Sequence, residues 1–151
     1  MTAKPFQSSV AAVVALLGGP SVMPQLVHTN LDLMRAAAAG VSIKAVRNLQ
    51  RHMRLTNREM SEVLSISEST LTRRENTQSS LTRDESEKAI QLSAVVVKGL
   101  EVFENEPDFH RWLRQENPAL GGERPQALLS SALGREQVRE ILGRIQWGIF
   151  S

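Results

Sequence analysis

The sequence predicts an all-α fold, and three features carry that expectation. Two capping boxes, Thr56 with Glu59 and Thr82 with Glu85, each open an apolar-periodic run. Between Ile43 and Met53 the apolar positions Ile43, Val46, Leu49 and Met53 return at helical spacing, with Gln50 beside them. After Thr82 the chain runs to about Glu104 with no breaker except Gly99. With 151 residues, 41% apolar and 23% charged, it has enough material for a core and suits an ordered, soluble chain of one domain or two small ones.

Taken in order, Ser9 is placed to cap a short helix with Val10, Val13, Val14 and Leu17 on one stripe, stopped by Gly18-Gly19-Pro20. The run Val10–Leu17 resembles the core of a signal peptide. However, only Lys4 precedes it, a Gly-Gly-Pro stop follows, and it is too short to span a bilayer, so an amphipathic helix is expected and no membrane partner. Residues 20–29 carry two prolines and no period, and read as extended or looped. Asn30 is positioned to cap a helix through Leu31, Met34 and the alanine run, with Gly40 as its left-handed stop. Residues 1–40 thus form a helical N-terminal segment that supports the core and brings no chemistry of its own.

From Ile43 to Arg54 a second stripe, Lys44, Arg47, Arg51 and Arg54, separates from the apolar one. It is either a solvated face or a set of phosphate contacts. Then comes the stretch on which the functional reading turns. Thr56 caps a helix that ends near Leu64, with Leu55 and Met60 spaced as a hydrophobic staple; Ser65-Ile66 makes a turn; Ser67 caps a second helix, with Ile66 and Leu71 spaced as a second staple. Two short helices about a tight turn form a helix-turn-helix, whose second helix enters the major groove. The alternative is a plain helical hairpin with a solvated polar face. In the DNA-binding reading, Ser67, Ser69, Thr70, Thr72, Arg73, Arg74 and Asn76 face the duplex, together with Arg47 and Arg51 of the preceding stripe. Arginine can bond guanine twice, asparagine can do so with adenine, and hydroxyls position the helix on phosphates. Charge favours this reading: residues 43–83 hold eight Lys/Arg against four Glu, a net of +4, while the whole chain carries +2. Glu68 and Glu75 sit beside that face and would repel phosphate unless they read cytosine.

Thr82 opens a long helix whose apolar positions (Ala89, Ile90, Val96, Val97, Leu100, Phe103) cover more than one stripe, so it is expected to be buried on several sides, bridging two modules or a dimer seam. Residues 84–110 hold seven acids against two lysines and should face away from DNA. Beyond Asn105 come a stripe of Phe109, Trp112 and Leu113, a turn-rich loop Asn117-Pro-Ala-Leu-Gly-Gly122, and a short helix from Pro125 to Leu128-Leu129 with Gly134 as its stop. A last helix runs from Arg135, with Val138, Ile141, Leu142 and Ile145 on one face, and Gly148 ends it. The organisation read from these shifts is 1–40, a helix-turn-helix domain with its long helix over 41–104, and a final domain over 105–151. Trp147, Ile149 and Phe150 put apolar bulk at a terminus; either they form an interface or they fold back on their own domain.

Enzyme chemistry finds no footing. There is no cysteine, which excludes disulfides, thiol catalysis and cysteine-held metals and fits a cytoplasmic protein. His28, His52 and His110 form no helical metal pair, no serine lies in Gly-x-Ser-x-Gly, and Gly121-Gly122 lacks the Lys-Ser/Thr of a phosphate loop. No metal, no cofactor and no catalytic residue is expected.

Several pieces in this order resemble the Xre/MbcA/ParS-type antitoxins of bacterial toxin–antitoxin pairs: Thr70-Leu-Thr-Arg-Arg74, Leu81-Thr-Arg-Asp-Glu-Ser86, Phe103, Trp112-Leu113, Asn117-Pro-Ala-Leu-Gly-Gly122, Pro125 with Leu128-Leu129, and Gly134…Val138…Leu142-Gly-Arg-Ile145…Trp147-Gly148. The likeness runs from about Leu31 to the end. It implies an all-α fold with an Xre-like helix-turn-helix core and a small C-terminal helical toxin-binding domain. The implied partners are operator DNA, a second copy of the chain, and a toxin encoded beside it, most often of the RES type that consumes NAD⁺ or transfers its ADP-ribose. The antitoxin would cover the toxin's active site, using Trp112, Asn117, Arg144, Trp147, Gly148, Ile149, Phe150 and Ser151, and would repress its own operon. The sequence departs from the family pattern at Ser65, where such turns often carry glycine, and at Ala127, Ser130 and Trp147. Two rivals stand beside this reading: a toxin-binding module without operator affinity, and a stand-alone repressor whose C-terminal domain dimerises.

Overall fold

The computed structural model describes residues 6–23 and 26–148. They form α1 (Phe6–Leu16), α2 (Asn30–Ala39), α3 (Ile43–Met53), α4 (Asn57–Leu64), α5 (Glu68–Thr77), α6 (Arg83–Val102), α7 (Glu106–Arg114) and α8 (Ala132–Gln146), with short 3-10 turns at Gly19–Ser21, Pro118–Leu120 and Pro125–Leu128. Among the described residues there is no strand beyond one antiparallel bridge, Ser42 to Ser80, and no helix is long and apolar enough to cross a membrane.

The central helix is α6. It packs against α8, α2, α1, α3, α4 and α7, and it buries Ala89, Leu92, Val95, Val96, Val97 and Gly99. Such all-round burial explains why a run of three valines, poor helix formers on their own, stays helical. One hydrophobic core extends from Val10 of α1 to Leu142 of α8, so the helix-turn-helix and the C-terminal helices share an interior. Two small residues set the spacing. Gly99 faces Phe109 of α7, whose ring fills the volume a Cβ would need. Ser86 is fully buried, and its hydroxyl accepts the Val41 N–H at 2.9 Å while the Leu81 N–H donates to the Val41 carbonyl at 2.8 Å. That clasp closes the ends of the α3–α5 module onto the start of α6.

Most helix starts follow their local chemistry. Both expected capping boxes are present, Thr56 with Glu59 and Thr82 with Glu85, and Ser67 caps α5. Three expectations need correction. Ser9 does not cap α1, because the helix begins at Phe6 and Ser9 lies inside it. The cap of α2 is Thr29, not Asn30; Thr29 and Asp32 form a capping box that satisfies two orphan N–H groups where Asn30 alone would satisfy one. Gly134 stops nothing: α8 begins at Ala132, Ser131 caps it through the Gly134 N–H at 3.0 Å, and a Cβ at 134 would run into the Leu128 carbonyl.

The turn between α4 and α5 holds Ser65 in the left-handed region, φ 57°, where glycine is at ease and an L side chain is not. Ser65→Gly is therefore expected to raise stability by roughly 0.5 kcal/mol in urea unfolding, the relief of strain outweighing the added freedom of the unfolded chain. Gly99→Ala should act the other way, by about 1–3 kcal/mol, because α6 and α7 must separate to admit a methyl group; a neutral result would show that this contact does not fix the helices.

Candidate functional site

Helix α5 is held to the body by Leu71, which is buried, and presents a polar face outward. Ser67 and Thr70 form a local pair: the Thr70 N–H donates to Ser67 Oγ at 3.0 Å and the Ser67 hydroxyl donates to Thr70 Oγ1 at 2.9 Å. Ser69, Thr72, Arg73 and Asn76 line a shallow concavity with Glu68 and Thr77. Arg73 is exposed and has no acid partner among the described residues. Glu68 occupies the first turn of α5, where the helix dipole favours an acid, so its presence follows from helix stability alone.

Two of the arginines expected on that face are directed into the protein instead. Arg74 donates from one Nη to both carboxylate oxygens of Glu85 in α6, with only 14% and 9% of the two side chains exposed. Arg47 reaches from α3 to Glu75 of α5, Nε to Oε2 at 2.7 Å, and also donates to Gln50 at 2.6 Å and to Asn57 at 2.8 Å. Both are struts that fix the position of α5 rather than outward cations, and Glu75 is neutralised by the same contact. Arg51 stays exposed and donates to Asn48, which in turn donates to the Leu17 carbonyl at 3.0 Å.

Glu85 does two jobs. Burial pushes its carboxyl up, but the Thr82 N–H at the start of α6 and the Arg74 guanidinium outweigh burial and hold it below the ordinary carboxylate range. Sequence spacing revealed the capping role. The ion pair to a helix eleven residues back left no local sign.

In the C-terminal part, Trp112 is half-buried and packs in an aromatic cluster, 5.9 Å from Phe103 and 6.5 Å from Phe109 between ring centroids. Asn117 closes its own loop: its side chain accepts from the Ala119 N–H at 3.0 Å, its N–H donates to the Glu123 carbonyl at 3.0 Å, and its carbonyl accepts from the Gly122 N–H. Both residues shape the domain. Arg144, Trp147 and Gly148 are exposed at the end of α8, with Arg144 paired to Glu140 at 3.6 Å. Ile149, Phe150 and Ser151 lie outside the described residues.

Sequence reasoning also missed a polar seam between the helix pair and the C-terminal helices. Arg114 of α7 donates to the Arg54 carbonyl at 2.8 Å and pairs with Glu59 at 3.6 Å. Gln126 donates to the same Glu59, the carboxylate that caps α4. His52 Nδ1 meets Glu106 at 2.7 Å, and His110 Nε2 donates to the His52 carbonyl, which leaves His110 Nδ1 buried without a partner. No group of acids and histidines able to hold a metal occurs among the described residues.

Two family models match this arrangement. One, the antitoxin Xre-like helix-turn-helix domain, matches residues 32–93; the other, the antitoxin Xre/MbcA/ParS C-terminal toxin-binding domain, matches residues 98–148. The first ends and the second begins inside α6, at residues 93 and 98. The chain is also similar to a chain in the crystal structure of the M. tuberculosis MbcT–MbcA toxin–antitoxin complex, with a TM-score of 0.58 and 19% identity over 72% of this chain and 96% of that one, a likeness of fold. No curated protein matches in sequence.

Removing Arg74 leaves the Glu85 charge buried without its partner, so Arg74→Met should cost about 3 kcal/mol in denaturant unfolding. Because the folded carboxyl lies below its unfolded value, the stabilisation is complete above the ordinary carboxylate value of about 4.3 and is lost as pH falls through the folded value. The variant should therefore show a shallower acid limb in a plot of stability against pH. Arg73→Ala, which removes no internal contact, should leave stability within about 0.5 kcal/mol of wild type.

Proposed function

The chain belongs to the Xre/MbcA/ParS family of antitoxins, and we propose that it neutralises a toxin encoded beside it and represses their shared operon by binding its operator. The single observation that carries the operator half is the outward face of α5, where Ser69, Thr72, Arg73 and Asn76 stand together on a helix braced from behind by Arg74–Glu85 and Arg47–Glu75. A rigid helix with an uncommitted guanidinium and short polar neighbours suits the major groove, since Arg73 can bond a guanine edge and Asn76 an adenine edge. Arg51 and Lys44 are exposed cations of α3 open to phosphate.

The toxin half rests on the far end of the molecule. Trp147, 55% exposed, and Arg144 stand at the C-terminal end of α8, and after Gly148 the chain continues with Ile149, Phe150 and Ser151. In this reading Arg144, Trp147, Gly148 and the three terminal residues enter the toxin and cover its active site, while Trp112 and Asn117 keep the domain in shape. The toxin is of the RES type, acting on NAD⁺, and the antitoxin itself takes no cofactor and works in the cytoplasm. We propose a homodimer in which Leu31 and Met34 of α2 and Leu26 before it, each exposed, bury their apolar surface against a second copy.

One observation favours the rival module that has lost operator affinity: with Arg47 and Arg74 turned inward, α5 keeps only Arg73 as an exposed arginine. A gel shift with the DNA upstream of the gene separates the two. Operator binding at moderate salt, weakened by about 1–3 kcal/mol in Arg73→Ala, supports the repressor; no shift at any concentration below the non-specific range supports the rival. For the toxin half, deletion of residues 147–151 should abolish protection of cells co-expressing the product of the adjacent reading frame, with NAD⁺ falling, while operator binding is unchanged. Full protection by the shortened chain would refute the proposal.

A further inference from the structure

Arg135 lies in the first turn of α8 and is only 5% exposed. Its Nε donates to Gln91 Oε1 of α6 at 2.9 Å and one Nη to the Leu129 carbonyl at 3.0 Å, both of them neutral acceptors. It enters none of the ion pairs among the described residues. Burial draws the guanidinium below its ordinary value, and no neighbouring acid opposes that shift. The helix adds to the imbalance, because the first turn of α8 contains no acid to answer the positive end of its dipole. A buried charge without a counter-charge is costly and is normally paired.

This cation lines a groove of about 1200 Å³ between α6 and α8, with α1 and α2 along one side. Val10, Val13 and Leu33 give it an apolar wall, and Leu133, 77% exposed, and Trp147 stand on its rim at the two ends of α8. Of the acids on the groove, Glu140 pairs with Arg144 and Glu101 with Lys98, whereas Glu136, beside Arg139, enters no ion pair among the described residues. Its volume exceeds the roughly 300–1,000 Å³ usual for a small-molecule site. A length of polypeptide fits it better.

We propose that this groove docks a segment of the toxin that carries one carboxylate, seated on Arg135, between apolar side chains that cover Leu133 and Trp147. The inference rests on the reading that residues 98–148 bind a toxin, since α8 forms both that region and the groove; what it adds is the place and the chemistry of the contact. The missing counter-charge then arrives with the partner. A desolvated charge pair of this kind governs how slowly a complex dissociates.

The test uses the full chain and the co-purified product of the adjacent reading frame. Leu133→Asp, on the exposed rim, should weaken the complex by at least about tenfold without changing the melting curve of the antitoxin alone. Arg135→Glu should weaken it further, and exchange of one Asp or Glu of the toxin for Arg should restore binding to that variant alone. If wild type binds while Leu133→Asp and a folded Arg135→Met bind equally well, the docking site is overturned and toxin binding stands. If wild type does not bind, the underlying reading fails instead. Saturable binding of phosphate or citrate, read from the Arg135 Nε–H signal by NMR and indifferent to the toxin, would overturn the proposal in favour of a small-anion site.

Discussion

The carboxylate of Glu85 joins the two parts of the molecule that must agree in orientation. It accepts the Thr82 N–H at the start of α6, and so helps to begin the central helix. It also receives the Arg74 guanidinium from α5. The helix expected to meet DNA is thereby oriented by the same group that starts the helix on which everything else packs. Arg47 completes the brace from α3 through Glu75, so α5 is held by charge on two sides and by Leu71 beneath. Charged contacts of this sort add less to stability than an apolar replacement would, but they specify direction. Direction is what a reading helix requires.

A second consequence of the central helix is that the helix-turn-helix and C-terminal parts are not independent beads. Their core is continuous, and the seam between them runs through the cap of α4, where Glu59 holds the Thr56 N–H and is itself held by Gln126 and Arg114. Burial pushes Glu59 up, while the Thr56 N–H, Gln126 and Arg114 together hold it below the ordinary range. The first helix of the helix-turn-helix therefore starts on a residue that the C-terminal region grips.

What could be read in the sequence was what depends on near neighbours. Thr56 with Glu59, Thr82 with Glu85, and Ser67 at the head of α5 all follow from spacings of three residues, and all are present in the structure. The turn at Ser65-Ile66 was legible too, but the left-handed backbone of Ser65 was not, since a serine carries no signal for a positive φ. The signal for α2 is also local, but Asn30 alone is as good a cap as Thr29, and only Asp32, three residues beyond the threonine, favours Thr29. Gly134 illustrates a different limit. A glycine chosen for a positive φ and one chosen because a carbonyl presses on it look alike in a sequence, and this one belongs to the second kind. Arg47 and Arg74 could be seen as charges, but not as inward ones, since their partners lie 28 and 11 residues away. The contacts of Ile149, Phe150 and Ser151 stay a proposal.

The notch that Gly99 leaves for the Phe109 ring bears on how such a protein could be taken apart. It keys the rotational phase of α6 to α7, and it lies within the segment matched by the toxin-binding family rather than the helix-turn-helix one. A chimera that joined this C-terminal region to a foreign reading head would have to inherit the last turns of α6 with their phase intact. A junction cut at the loop after Val102 would part the lock from its key and strand an aromatic ring in water.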